Sequence, residues 1–175
     1  MRITSALACG IVLALVTVGL AQAPAPAPAQ TKLTATMDCP KTDPTAQAEV
    51  GDTPGHALML FKVKCPYSNG DIGGVKIQSE EDTFTTEMSG NTGRDSGFGV
   101  VVLADNDKAF LRFQGTTMFK NSAPVSGQGT WTFTGGTGKV KGVKGKGTYK
   151  GTFKPDGSVS WQIEGDYQVA AAKGK

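Results

Sequence analysis

Few side chains in this sequence could do chemistry, and they do not fall into a recognised catalytic spacing. His56 is the sole histidine. An imidazole titrates close enough to neutrality to act as acid, base or ligand. Here it follows the Pro54-Gly55 turn without a clear partner, which reads as a structural position at the start of a strand, with ligand contact as the alternative. Glu80, Glu81, Asp82 and Glu87 form an acidic stretch, and Arg94-Asp95 lies just beyond. The stretch reads as a solvated loop between strands. The sharper alternative is a polar cluster at the mouth of a barrel, with Glu87 or Arg94 gripping a ligand. It lacks the spaced oxygen ligands and the glycine of a calcium loop. Trp131 and Trp161 read as core or as pocket lining, and in a small barrel these roles coincide. The candidate ligand contacts are therefore His56, Glu87, Arg94, Trp131 and Trp161. No metal site or cofactor is expected, and whether a catalytic set exists stays open.

Two further patterns invite a functional reading and lose it. Gly135-Gly136-Thr137-Gly138 lacks the Gly-Lys-Ser/Thr ending of a phosphate loop, and no helix follows to present its N-terminus, so it is a turn. Lys139, Lys141, Lys144, Lys146, Lys150 and Lys154 carry six positive charges with no acid among them. Such a run could meet an anionic surface. Nucleic-acid binding also calls for stacking aromatics on the same face, and Tyr149 is expected to point inward with Phe153. The formal charge of the whole chain is only +3. Lysines on outward strand positions serve solubility and protect edges, and no nucleic-acid partner is expected.

The compartment is read from the first residues. Met1-Arg2 is followed by an uncharged apolar run from Ala6 to Leu20, and Gly19-Leu20-Ala21 offers small residues where a signal peptidase cuts. The run is shorter than the roughly 20 residues a membrane-spanning helix needs. Residues 1–21 are expected to be a signal peptide, with a secreted or periplasmic mature chain. Residues 22–31 alternate Ala and Pro and read as an extended linker. A single domain over 32–170 and a disordered tail over 171–175 complete the division. Cys9 leaves with the leader, so Cys39 and Cys65 remain as an even pair in an oxidising compartment. Their spacing is far from Cys-x-x-Cys, and a disulfide is expected. Closing a loop of about 27 residues stabilises a fold by roughly 3–4 kcal/mol through loop entropy.

The elements that must position these groups are strands. The chain holds 24 glycines, each costing about 1 kcal/mol inside a helix. Between them lie short runs of Val, Phe, Thr, Tyr and Trp. Val159, Trp161, Ile163, Tyr167 and Val169 occupy odd positions, with polar residues on the even ones, so one face of this strand is buried. Tyr149, Gly151 and Phe153 form the matching face of the strand before it, and Pro155-Asp156-Gly157 joins the two as a turn. Trp131 and Phe133 alternate with threonines. Phe98 to Leu103 is apolar at nearly every position, which predicts burial on both faces. Asp105-Asn106-Asp107 turns it into Ala109 to Phe113. His56 to Lys64, Lys32 to Met37, Val75 to Ile77 and Phe84 to Met88 are further strands. Asp43-Pro44 predicts one short helical turn. About eight strands at this spacing predict an all-β fold: a closed eight-stranded antiparallel calycin-like β-barrel.

The segment from Gly127 to Tyr167 resembles the second half of the allene oxide cyclase and dirigent-like barrel superfamily. The residues that carry the likeness are Gly129-Thr130-Trp131-Thr132-Phe133-Thr134-Gly135-Gly136-Thr137-Gly138, the glycine-rich strand through Gly145, Gly147 and Gly151, and Trp161-Gln162-Ile163-Glu164-Gly165-Asp166-Tyr167. It is most similar to small exported bacterial members. The resemblance implies an apolar barrel interior and admits a homo-oligomer, since such relatives assemble as trimers or larger. It carries no catalytic set across: only Gly51-Asp52-Thr53-Pro54 echoes the cyclase pattern, and Gly55-His56 follows where an aromatic belongs. A scaffold of this kind hosts many functions. Three readings follow, in order: non-catalytic binding of a small apolar molecule, a structural or envelope protein with a filled barrel, and a cyclase or isomerase that steers a reactive intermediate by shape.

Overall fold

Residues 30–169 are described by the computed structural model of the chain. The expected leader over 1–21, nearly all of the linker and the 171–175 tail lie outside the described residues; Thr31, read as linker, already opens the first strand.

Period-two alternation becomes a closed wall. The elements in chain order are β1 (Thr31–Cys39), β2 (Ala46–Glu49), β3 (Ala57–Asn69), β4 (Asp71–Ile72), β5 (Val75–Ser89), β6 (Thr92–Leu103), β7 (Lys108–Lys120), β8 (Ala123–Gly136), a 3-10 turn at Gly138–Val140, β9 (Lys144–Phe153) and β10 (Val159–Gln168). Pairing runs β3-β1-β10-β9-β8-β7-β6-β5, and β5 returns to β3, so eight strands close an antiparallel barrel. β2 and β4 are short additions to β3 and β5. Tight turns set the meander. Asn121 and Ser122 between β7 and β8 both take positive φ, 52° and 63°, the backbone of a two-residue turn that matches strand twist.

The interior is packed by size complementarity. Trp131 faces Gly147 and Gly165 on the two neighbouring walls, where a Cβ would approach Trp131 Cζ2 to 2.6 and 2.5 Å. Trp161 lies against Gly127 and Gly151 in the same way, and Tyr149 against Gly115 and Gly129. A small barrel has a fixed internal radius, so a large ring from one strand needs a hydrogen on the next. One end is plugged. Ile72, Ile77, Leu103, Val140 and Val143 are almost fully buried there, and the Gly73 amide donates to the Tyr167 hydroxyl at 2.9 Å.

Closure occurs between β1 and β3, the shortest ladder of the wall. Only Met37 with Tyr67 and Thr36 with Asn69 pair, across a bulge. The Cys39–Cys65 disulfide continues that register, with a Cα–Cα distance of 4.5 Å, the spacing of a directly opposed non-hydrogen-bonded pair. It closes a sequence separation of 26 and holds the seam where the backbone ladder ends.

Three local expectations are corrected. Asp43-Pro44 forms no helical turn; the chain runs through it without regular structure into β2. Phe98 to Leu103 is not buried on both faces: Val101 and Leu103 point inward, while Phe98 is 68% exposed on the outer wall. Val75 to Ile77 and Phe84 to Met88 are not separate strands, because the acidic residues between them continue a single strand, β5.

Two stability predictions follow from the seam and the packing. Replacing both Cys39 and Cys65 by Ala is expected to cost about 3 kcal/mol in urea unfolding, and reductant should reproduce the loss in the native protein only. Gly147→Ala would place a Cβ on the Glu164 carbonyl oxygen and the Trp131 ring, with an expected loss of about 1–3 kcal/mol.

Candidate functional site

The alternation that forms the wall also decides which polar groups enter the barrel, and here one irregularity matters. β5 carries a bulge between Ile77 and Ser79 against β6. Ile77 points inward, and unbroken alternation would send Ser79, Glu81 and Thr83 after it. A bulge inserts one residue and reverses the faces beyond it. The inward residues are instead Glu80, Asp82, Phe84 and Thr86, while Glu81 turns outward and pairs with Lys62 at 2.8 Å. The acidic stretch is therefore not a solvated loop. Glu80 is 4% exposed and Asp82 6%.

These carboxyl groups line a cavity of about 580 Å³ inside the barrel. Its mouth lies at the end formed by residues 40–44, the β7–β8 turn and the β9–β10 turn. Its walls are aromatic. Phe61 stacks on Phe84 at 4.9 Å between centroids, Phe113 meets Phe84 at 5.8 Å and Tyr149 at 6.1 Å, and Tyr149 meets Trp161 edge-on at 5.4 Å. Rings offset or edge-to-face at these distances attract through their quadrupoles. Leu33, Met37, Leu111 and Ile163 fill the spaces between them.

Within this apolar chamber the acids have few partners. The Tyr67 hydroxyl on β3 donates to Glu80 Oε2 at 2.5 Å. Glu80 and Asp82, two residues apart on one strand, both turn into the space above Gly99 on β6, where any Cβ would overlap them. Among the described residues no N–H or O–H reaches Asp82 Oδ1. The two carboxyl groups lie close enough to hydrogen-bond each other when one is protonated. Burial raises the pKa of Asp82 well above the usual carboxylate range, and the neighbouring Glu80 charge adds to it. Burial also raises Glu80, opposed by hydrogen bonds from Asp82 and Tyr67. The pair titrates as a unit, with Asp82 pushed up further and the Tyr67 bond opposing the rise at Glu80. A third acid, Asp95 on β6, accepts from Thr86 at 2.6 Å and from Thr117 at 2.7 Å. Its pKa is raised by burial against those two bonds. Tyr149 is held above its ordinary value chiefly by burial, with the neighbouring Asp95 adding to it. Trp131 Nε1 is the other buried polar atom without a partner among the described residues.

The five residues singled out from sequence separate into two groups. Trp131 and Trp161 both line the cavity. His56, Glu87 and Arg94 do not. His56 sits outside the barrel where β3 begins, its Nδ1 2.6 Å from Asp52 Oδ1 and its Nε2 3.2 Å from Glu87 Oε1. The Asp52 bond holds its pKa above the ordinary imidazole value, against some desolvation. The ring thus ties the Asp52–Thr53 turn to β5. Arg94 points outward beside Gln114, Gln128 and Lys150 in a shallow groove on the outer wall. The parity of an inward face explains this: Asp95 enters the barrel and its neighbours on β6 cannot. Sequence reasoning missed Glu80, Asp82, Asp95 and Tyr67. For Glu80 and Asp82 the sequence signal is Phe84, whose even position extrapolates back to them. The lysines of residues 139–154 are all exposed. No group of three or more His, Cys, Asp or Glu side chains among the described residues could hold a metal ion.

No family model matches the chain, and no curated protein matches it in sequence. Among solved structures, two pterocarpan synthase dirigent proteins are similar in chain course. The first is 12% identical, with a TM-score of 0.48 over 82% of this chain and 97% of its own. The second is 12% identical, with a TM-score of 0.47 over 81% of this chain and 91% of its own. At that distance no residue of one can be matched with a residue of the other.

The buried acids give stability a pH dependence of defined sign. A carboxyl whose folded pKa is raised binds its proton in the fold after the unfolded chain has released it. Its contribution is complete below the ordinary carboxylate value and is lost as pH rises through the raised one. Asp82→Asn should therefore gain stability relative to the native protein between pH 4 and pH 8, by at most about 1.4 kcal/mol per pH unit for one proton. Urea unfolding of both proteins across that range checks it; a difference that stays constant with pH contradicts a protonated Asp82.

Proposed function

We propose that this protein is exported and that its barrel holds a small, mostly apolar molecule without transforming it. The single observation that carries this reading is the chamber itself. Its volume of about 580 Å³ falls within the roughly 300–1,000 Å³ of small-molecule sites, and its walls combine many rings with a few convergent polar groups. A structural protein with a filled barrel has no use for that space. The Cys39–Cys65 bond supports an oxidising compartment, in line with the apolar leader read from the sequence. No helix among the described residues is long and apolar enough to cross a membrane.

A second reading has an observation of its own. Glu80 and Asp82 are a proton-holding pair facing an apolar void, and Tyr67 supports one member. Acids tuned in this way can give or take a proton at neutral pH. A cyclase or isomerase that encloses a reactive intermediate would use such a pair together with shape. Asp82→Asn tests this second reading, since any turnover the native protein shows should be lost with that proton.

N-phenyl-1-naphthylamine, a neutral apolar fluorophore, should bind at one molecule per chain with enhanced emission and quenching of Trp161. Leu111→Trp, which fills the chamber, is expected to weaken it at least tenfold. His56→Ala and Arg94→Ala should leave its affinity within twofold, because neither side chain enters the barrel. Native mass spectrometry of protein taken from its own exported pool should show a retained mass that is absent from Leu111→Trp. Binding that persists unchanged in Leu111→Trp overturns the assignment of the chamber.

A further inference from the structure

The interior of the barrel is electrically one-sided. The strands turn five titratable groups into the chamber, Tyr67 from β3, Glu80 and Asp82 from β5, Asp95 from β6 and Tyr149 from β9, and Asp43 and Asp156 stand at its mouth; β1, β7, β8 and β10 contribute only apolar, aromatic and hydroxyl side chains to its walls. All five are neutral or negative. Among the described residues the one cationic side chain at the chamber is Lys41 at its mouth, which is exposed and lies 3.9 Å from Asp43. A carboxylate removed from water is costly unless a cation or enough donors meet it. Here one hydroxyl meets Glu80, and among the described residues no donor meets Asp82 Oδ1. Proteins place such charges where something else supplies the partner.

We propose that the molecule held in the barrel is an organic ammonium: a protonated amine on an apolar, ring-sized body, with its N–H groups on Glu80 and Asp82. This rests on the reading of the barrel as a small-molecule site and narrows its ligand class. An ammonium carries three donors and no acceptor. It satisfies both acids at once where their oxygens converge over Gly99. The aromatic lining adds to this, because a cation within about 6 Å of a ring face is attracted to it. A carboxylic acid meets repulsion in the same place, and an alcohol brings one donor and no charge. Tyr149 and Asp95 sit toward the β7–β8 side, where they can take a second polar group of the body.

The exchange balances. Before binding, one proton joins Glu80 and Asp82. The ammonium enters with its own protons and the shared proton leaves to solvent, so each binding event releases about one proton while the pair is protonated. By linkage, affinity for the ammonium rises with pH, by up to tenfold per unit, until the pair has lost its proton in the empty protein. It falls again only when the amine itself deprotonates.

Displacement of N-phenyl-1-naphthylamine by 4-phenylbutylamine, 4-phenylbutan-1-ol and 5-phenylpentanoic acid tests the inference. The amine should displace the fluorophore at least tenfold more effectively than the alcohol at pH 8, and the acid least of all. That advantage should shrink as pH falls towards 5. Calorimetry in two buffers of different ionisation enthalpy should detect the released proton. Asp82→Asn and Glu80→Gln should reduce the amine to the level of the alcohol, and cooperative urea unfolding of each variant shows that it folds. Equal displacement by amine and alcohol, with no pH dependence, overturns the ammonium and leaves the apolar chamber standing. Failure of the fluorophore itself to bind overturns both.

Discussion

The interior radius of an eight-stranded barrel is the constraint on which everything else rests. The space inside must be shared between side chains from opposite walls, and this chain shares it unevenly. Trp131, Trp161 and Tyr149 reach across, and each meets glycine on the neighbouring strands. Glycine elsewhere in a strand weakens it, yet here it lets a ring approach the backbone closely. The C-terminal half of the barrel is thus rigid and crowded. The chamber that remains is walled by these rings on one side and by Phe61, Phe84 and Phe113 on the other.

Closure of that wall is accomplished at its weakest ladder. β1 and β3 share two paired positions and then part, and β2 pairs with Ala57 to Leu60 at the start of β3. A covalent bond placed in register at the parting point does what further hydrogen bonds would do elsewhere. The chamber and the disulfide are linked through this geometry. The mouth opens beside residues 40–44, directly after Cys39, so the bond fixes the rim of the opening as well as the seam.

Electrostatics gives the chamber its character. Two carboxyl groups on adjacent inward positions of one strand cannot both ionise readily in an apolar space, and burial raises both of them. Asp95, by contrast, is satisfied by two threonine hydroxyls from the strands on either side. The same residue type is therefore at rest in one place and unsatisfied in the other, some distance along the same wall. That difference, more than the number of acids, marks the Glu80–Asp82 end as the part of the chamber that awaits a partner.

What the sequence by itself determined was the scaffold. Glycine-punctuated alternation is a local property, so β8, β9 and β10, the Pro155-Asp156-Gly157 turn, the inward faces of Trp131 and Trp161 and the all-β class could be read from residue types in order. The pairing of Cys39 with Cys65 followed from their number and spacing. What only the tertiary structure decided was the polar content of the barrel. A single extra residue at the Ile77–Ser79 bulge exchanges the faces of β5, and no local signal announces a bulge, because the hydrogen bonds it breaks belong to another strand. Glu80 and Asp82 enter the chamber for that reason alone. His56 and Glu87, conversely, met outside it, since their contact depends on β3 lying beside β5, a pairing set by closure of the whole sheet.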